Sequence, residues 1–150
     1  MKLALLFLVT LLSCFSGLAQ TNQVVFVCEH GSAKSIIAAA YFNKLASERN
    51  IPWHAVARGT HPDAEISPKT KALLVEDGLL DNSIVPQQFS QGDVDASNRV
   101  ILFTALPGNI LGKNKVTLWL DIQGVNDDFR RLKNDIVTRI TPVLDSLAKR

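Results

Sequence analysis

The sequence predicts a single α/β domain, a three-layer fold in which a four-stranded parallel sheet lies between helices. Short apolar runs that are typical of buried strands alternate with segments of helical periodicity. The spacing of these runs leaves room for the crossover helices that parallel neighbours require. The chain has 150 residues, of which 47% are hydrophobic. This length is enough for one core of ordinary size and too short for two.

Residues 1–19 have the features of a secretory signal peptide. A lysine is followed by an apolar stretch over residues 3–12, and small residues precede the expected cleavage site after Ala19. The apolar stretch is short for a membrane span. We therefore expect a mature domain of residues 20–150 in a periplasmic or secreted location. Lipid attachment through Cys14 is the alternative, because the residues before it loosely match a bacterial lipoprotein box.

The stretch from Val24 to Ser35 predicts a buried strand, a tight loop that begins at Cys28, and the start of a helix. The strand is a β-branched and aromatic run, and helical spacing of apolar residues continues to Arg49. Gly31 permits a sharp turn and a close approach of the backbone to a ligand. The loop amides and the helix N-terminus then converge where an anion can bind. A cysteine at such a site is favoured as the nucleophilic thiolate.

Three further strands are predicted from short apolar or β-branched runs, over residues 53–57, 99–104 and 116–120. Helical segments lie between or after them, as a helix over 67–76, a short turn or helix around 91–93, and a helix over about 127–149. Ser67 is expected to cap the first of these, with Pro68 in its first turn. Pro142 should kink or locally break the last. Ligands of such sheets bind at the carboxyl ends of the strands, where Cys28 and the segment 58–60 fall.

The segment from Cys28 to Ser35 resembles the signature of the low-molecular-weight protein tyrosine phosphatases and of the arsenate reductases built on the same fold. That signature is a strand followed by Cys, five residues, Arg and Ser, and Lys34 stands here in the arginine position. Ala57-Arg58-Gly59-Thr60 is similar to the Ser-Ala-Gly-Thr loop of the family. The surroundings of Asp121 are similar to its acid loop. The resemblance covers essentially the whole of residues 20–150.

The resemblance implies a role for each residue of the site. Cys28 would attack phosphorus, and Ser35 would hydrogen-bond its sulfur. The loop amides and Lys34 would hold the phosphate oxygens, helped by Arg58 from the neighbouring loop. Asp121 would protonate the leaving oxygen, and a base would then activate water. The residues expected to contact the substrate are Glu29, His30, Gly31, Ser32, Ala33, Lys34 and Arg58.

Three departures from the family pattern bear on this expectation. Arginine forks onto two oxygens, whereas Lys34 is a point donor, and one lost donor typically costs about a hundred- to a thousand-fold in rate. Gly31 replaces the asparagine that braces the family's loop, which leaves the rigidity of the loop open. Ile122 replaces the proline that follows the acid. Asp127 and Asp128 are expected at the start of the last helix, where carboxylates favour the helix dipole.

The expected function is therefore that of an exported, cysteine-dependent phosphomonoester hydrolase of the protein tyrosine phosphatase type, acting through a cysteinyl-phosphate intermediate. Its partner would be a phosphate or other oxyanion substrate, for example a phosphotyrosine protein. Two alternatives remain open. One is an arsenate reductase-like enzyme that uses external thiols, and the other is a phosphate- or oxyanion-binding protein with weak or no catalysis.

Composition and cysteine usage count against other classes. The net charge is +2 with no basic run, so nucleic-acid binding is not expected. Cleavage after Ala19 would leave Cys28 as the only cysteine, without a second one for a disulfide or for the usual thioredoxin-coupled arsenate chemistry. Cys28, His30, His54 and His61 match no common zinc spacing. Neither a metal nor another cofactor is expected, and the oligomeric state stays open.

Overall fold

A computed structural model describes residues 22–122 and 128–149 of the chain. Its elements are, in chain order, β1 (Gln23–Cys28), α1 (Lys34–Glu48), β2 (His54–Gly59), α2 (Pro68–Glu76), α3 (Gln91–Ala96), β3 (Arg99–Leu102), β4 (Val116–Leu118) and α4 (Phe129–Ala148). The four strands are parallel and lie in the order β2-β1-β3-β4. This arrangement confirms the predicted α/β fold. None of the described helices is long and apolar enough to cross a membrane.

The N-terminal ends of α2 and α4 lie at the residues that the sequence predicts for them. Ser67 caps α2 by accepting a hydrogen bond from the Thr70 amide, and Pro68 is the first residue of the helix, as predicted. Asp128 caps α4 by accepting from the Arg131 amide. Asp127, which was expected beside it, lies outside the described residues.

Pro142, which was predicted to kink or locally break the last helix, does not break it, because α4 runs through this residue without interruption. Proline in a helix interior costs about 3 kcal/mol. Full burial of one leucine or isoleucine side chain stabilises the fold by about 1.5–3 kcal/mol. Because α4 buries several such side chains on both sides of the proline, their burial outweighs this cost. They form one stripe along the helix, at Leu132, Ile136, Ile140, Leu144 and Leu147.

Strand β1 is buried on both faces of the sheet, and its alternation decides where the cysteine points. Val25 and Val27 belong to a core cluster that also includes Val94 of α3. Phe26 and Cys28 belong to the larger cluster formed with α1 and α4. Because successive side chains of a strand face opposite sides, Cys28 reaches the end of β1 on the side covered by α1.

Candidate active site

Cys28 is the last residue of β1, and only 5% of it is exposed. Its Sγ accepts a hydrogen bond from the Gly31 amide at 3.2 Å and lies 3.1 Å from Ser35 Oγ. Ser35 is fully buried in the first turn of α1. Both neighbours are therefore placed to donate to a thiolate, and the contact between Ser35 and the sulfur that the family resemblance implies is present.

The N-terminus of α1 points toward the same place. Ala33 is its N-cap residue and provides no side-chain cap. The first amides of a helix have no partner within the helix, and together they carry a partial positive charge. In a helix of 15 residues that starts directly after the cysteine loop (residues 28–33), this end is suited to attract an anion.

A cavity of about 340 Å³ opens beside the cysteine. Its lining residues are Cys28, Glu29, His30, Ser32, Ala33, Lys34, Phe103 and Thr104. The structure thus brings the predicted nucleophile together with most of the predicted substrate contacts. Phe103 and Thr104 were not predicted, although their position just after β3 is a carboxyl strand end where ligands of such sheets bind. A larger cavity of about 590 Å³ lies between α1 and β2, and Cys28 does not line it.

The loop after β2 (residues 60–67, the brace loop) holds the backbone of the cysteine loop. Amide groups of the brace loop donate to carbonyl groups of the cysteine loop in four pairs, Thr60 to Cys28, His61 to Glu29, Asp63 to His30 and Ser67 to Ser32, at 3.0, 2.7, 2.9 and 3.0 Å. Asp63 Oδ2 also accepts from Ser32 Oγ at 2.6 Å. These bonds hold the backbone of the cysteine loop, which carries Gly31 where the family has a bracing asparagine. Sequence reasoning missed Asp63, because nothing local distinguishes it from other polar loop residues.

Gly31 and Gly59 allow the two loops to approach closely. Gly31 has φ of +60°, a conformation that favours glycine. A Cβ atom at Gly59 would lie 2.7 Å from the Gly31 nitrogen, and one at Gly31 would lie 2.9 Å from the Gly59 nitrogen. Both contacts are with backbone atoms, so no side chain could move aside.

Lys34 reaches the cavity but is also engaged outside it. Its Nζ donates a hydrogen bond to the carbonyl of Ile122 at 3.1 Å, while the side chain lines the cavity beside Cys28. The cation in the arginine position therefore lies close to the predicted anion site. It also links the start of α1 to the segment that follows β4.

Asp121 is not one of the residues that line this cavity. Its carboxylate accepts a hydrogen bond from Arg139 of α4, and that bond holds the pKa of Asp121 below its ordinary value of 3.8. The side chain is 68% exposed, and Arg139 lies over the Trp119 ring at 5.8 Å. The carboxylate predicted as the acid is therefore paired with Arg139, and it is not among the residues that line the cavity.

Arg58 is not brought to the cavity either, contrary to the prediction. It pairs in register with Val27, and its Nε donates to Asp93 Oδ1 of α3 at 2.8 Å. Strand alternation turns the side chain to the α3 side of the sheet, away from Cys28. Its position in the family-like loop did not reveal this orientation.

His30 and Glu29 line the cavity, and the His30 ring lies close to the carboxylates of Glu29 and Asp63. Its Nδ1 lies 3.4 Å from Asp63 Oδ1, and its Nε2 lies 4.0 Å from Glu29 Oε2. The Glu29 side chain is 64% exposed. His54 pairs with Gln23 at the other end of β2. Within residues 22–122 and 128–149, no three His, Cys, Asp or Glu side chains are placed to hold a metal ion.

Comparison with known proteins gives the same family that the motifs indicate. The family model described as low molecular weight phosphotyrosine protein phosphatase matches residues 23–114, well over half of the chain. The fold is similar to that of YfkJ from Bacillus subtilis, with a TM-score of 0.72, 20% identity, and coverage of 85% of this chain and 94% of that one. Comparison with curated proteins found no match.

Two further solved structures are similar. A low molecular weight protein tyrosine phosphatase from T. tengcongensis has a TM-score of 0.72 and 15% identity, with coverage of 83% of this chain and 99% of that one. An arsenate reductase from Archaeoglobus fulgidus has a TM-score of 0.63 and 25% identity, with coverage of 81% and 98%. The fold is therefore similar to that of a protein tyrosine phosphatase and to that of an arsenate reductase.

Proposed function

The chain belongs to the low molecular weight phosphotyrosine protein phosphatase family, and from that premise we propose that it hydrolyses phosphate monoesters through a phosphocysteine intermediate. The family supports cysteine-dependent chemistry of the phosphatase or arsenate reductase type and a phosphate-containing substrate. The observation that carries the proposal is the placement of Cys28. Its sulfur has a donor from Gly31 and one from Ser35, at the N-terminus of a helix and beside a cavity.

In the proposed first step, the Cys28 thiolate attacks phosphorus. The S–P bond forms, the P–O bond to the leaving group breaks, and the electron pair goes to the leaving oxygen, which takes a proton. Water then attacks phosphorus, loses a proton, and the sulfur leaves as thiolate again. The loop amides, the α1 N-terminus and Lys34 offset the charge on the phosphate oxygens, which is the largest contribution that such sites make.

We expect Lys34, which stands in the arginine position of the family signature, to limit the rate of phosphate ester hydrolysis. Lys34 supplies positive charge from one nitrogen and lacks the fixed fork of arginine. Because its Nζ also donates to Ile122, it must turn toward a bound oxyanion. We therefore propose a slow phosphatase, in which Lys34→Arg raises turnover by up to about a hundredfold.

The test is hydrolysis of p-nitrophenyl phosphate by the purified protein and three variants. Cys28→Ser should abolish turnover, and acid quench of the wild type should trap phosphate on the cysteine. Lys34→Arg should raise turnover, whereas Lys44→Arg, at an exposed position of α1 paired with Glu48, should not. Turnover that survives in Cys28→Ser would contradict the proposal.

A second candidate is arsenate reduction with an external thiol. It is favoured by the state of Cys28, which is a free thiol and the only cysteine among the described residues. An arsenic adduct on Cys28 would have to be resolved by a thiol such as glutathione. Arsenite release that depends on added thiol, without aryl phosphate turnover, would select this function. Tight phosphate binding without either reaction would select a non-catalytic oxyanion-binding protein.

We further propose that the protein is exported, with residues 20–150 as the mature domain. Support comes from the lysine, apolar stretch and small residues within 1–19. Sequencing the N-terminus of the exported protein should give Gln20 as the first residue. A lipid-modified Cys14 at the mature N-terminus would instead indicate lipoprotein processing.

A further inference from the structure

We propose that His30 is the proton donor and acceptor of this site, held in position by Asp63. The proposal rests on the phosphatase function proposed above and names the group that serves the leaving oxygen. It assigns this task to a residue of the cysteine loop itself. Asp63 acts through His30 and is a positioning residue.

The lining of the cavity leaves few other candidates. Among the described residues, its titratable side chains are Cys28, Glu29, His30 and Lys34. Cys28 is the nucleophile, and Lys34 is the cation that hydrogen-bonds Ile122. Asp121 is not part of the lining and is paired with Arg139. A proton donor must come within hydrogen-bond reach of the leaving oxygen, which favours the lining residues Glu29 and His30.

His30 suits the task better than Glu29 because of what faces its ring. Asp63 lies at 3.4 Å from Nδ1 and Glu29 at 4.0 Å from Nε2. A protonated imidazole donates from both nitrogens and so complements both carboxylates. Two other titratable groups lie nearby. Lys34 of α1 lines the same cavity. His61 belongs to the brace loop, and its Nδ1 lies 3.3 Å from the Thr60 hydroxyl. Imidazole also both gives and takes protons near neutral pH.

Asp63 is anchored well enough to orient the ring. Its amide donates to the His30 carbonyl at 2.9 Å, and its Oδ2 accepts from Ser32 Oγ at 2.6 Å. The other carboxylate oxygen, Oδ1, faces His30 Nδ1. The carboxylate is therefore fixed to the cysteine loop from two sides and faces Nδ1. In the proposal, Nε2 turns from the Glu29 carboxylate toward the substrate and exchanges protons with it.

His30 donates a proton in the first step and accepts one in the second, so it ends the cycle in its starting state. When the P–O bond breaks, the leaving oxygen receives the electron pair and takes the proton of His30 Nε2, so the imidazole becomes neutral. In the second step the neutral Nε2 accepts a proton from the attacking water as its oxygen bonds phosphorus. The S–P electron pair returns to Cys28, and His30 is again protonated.

The leaving-group dependence of the rate tests the assignment. Phenyl phosphate needs a proton on its leaving oxygen, whereas 2,4-dinitrophenyl phosphate does not. His30→Gln should lower kcat for phenyl phosphate by about a hundredfold or more and leave the dinitrophenyl substrate nearly unchanged. His54→Gln, which removes an exposed histidine at the far end of β2, is the matched control and should change neither rate.

Asp63→Asn separates a positioning role from a structural one. The amide still accepts from Ser32, but the negative charge beside the imidazolium is gone. The kcat for phenyl phosphate should therefore fall while the kcat for 2,4-dinitrophenyl phosphate and both KM values stay similar. A fall in protein stability alone would lower both rates together.

The outcomes are distinct. Equal losses on both substrates in His30→Gln and in His30→Asn, or a selective loss in Asp121→Asn instead, would overturn the assignment while the phosphatase function stands. No turnover of dinitrophenyl phosphate by the wild type would overturn the proposed function, and the assignment with it. Thermal unfolding of each variant shows whether its fold is intact.

Discussion

Two segments flank the cysteine loop, and they are attached to it in different ways. The brace loop is joined to it by four backbone hydrogen bonds and by the Ser32–Asp63 contact. The segment 119–122 is joined to the first residue of α1 by a side-chain hydrogen bond, from Lys34 Nζ to the Ile122 carbonyl. Each backbone bond contributes about 0.5–1.5 kcal/mol, so the brace loop fixes the backbone beside Cys28 firmly. The segment 119–122 is held mainly by packing, because Trp119 and Ile122 are buried in the core.

The difference indicates which half of the site is preassembled. The loop that carries Cys28 takes its shape from backbone geometry, which a change of one side chain does not remove. Asp121 is held by an exposed ion pair with Arg139, and such pairs contribute little. The family match also ends at residue 114, before this segment. Departures from the family chemistry are therefore expected on the Asp121 side of the cavity.

The largest expected effect comes from Gly59→Ala, which would separate the two loops. The new Cβ would lie 2.7 Å from the Gly31 nitrogen, and overpacking against backbone destabilises by about 3 kcal/mol. Urea unfolding should show this loss together with weaker phosphate binding. Gly108→Ala, where a Cβ would meet nothing within 4 Å, is the control and should be nearly neutral. A stable Gly59→Ala protein with normal phosphate affinity would show that the close approach of the two loops is not needed to hold the cysteine loop.

The next effect concerns the Ser32–Asp63 contact. A double-mutant cycle of Ser32→Ala and Asp63→Ala should give a coupling energy of about 1 kcal/mol, since the hydrogen bond has a charged acceptor but is half exposed. The same cycle for Ser83 and Asp81, a pair within one exposed turn, should give a smaller value. Equal coupling in both cycles would mean that Asp63 does not brace the cysteine loop.

A smaller effect should appear on the opposite side in Lys34→Met. Loss of the bond to Ile122 should raise hydrogen exchange of the Trp119 and Ile122 amides by roughly fivefold, equivalent to about 1 kcal/mol. The brace-loop amides should be unaffected, because their acceptors are backbone carbonyls. Faster exchange across residues 60–67 as well would show that the two sides are coupled. Lys44→Met is the control.

The smallest effect is the pH dependence of the Asp121–Arg139 pair. Because the pKa of Asp121 is lowered by the hydrogen bond from Arg139, the pair stabilises the fold above the unfolded pKa of about 3.9. That contribution is lost as the pH falls through the lower folded pKa. Arg139→Gln should therefore be slightly less stable than wild type at pH 7 and equal to it near pH 2. A difference that persists unchanged at pH 2 would argue against this pairing.

Much of the fold and part of the site follow from local sequence. β-branched and aromatic runs define the strands, and Ser67 with Pro68 defines the start of α2. The strand, Gly31 and Ser35 around Cys28 predict a turn into a helix, and the contact between Ser35 and the sulfur was implied by the family resemblance. These features depend on neighbours within a few residues, whose geometry is set by backbone chemistry.

Pairings between distant side chains depend on the assembled fold. Ser32 and Asp63 are 31 positions apart, Arg58 and Asp93 are 35 apart, and Asp121 and Arg139 are 18 apart. A charged residue has many possible partners in the sequence, and the packing of strands and helices decides which one it meets. Local sequence was enough to predict the cysteine loop at the end of β1 and the helix that follows it. The orientation of Arg58 toward α3, the pairing of Asp121 with α4 and the approach of Asp63 to His30 depend on the assembled fold.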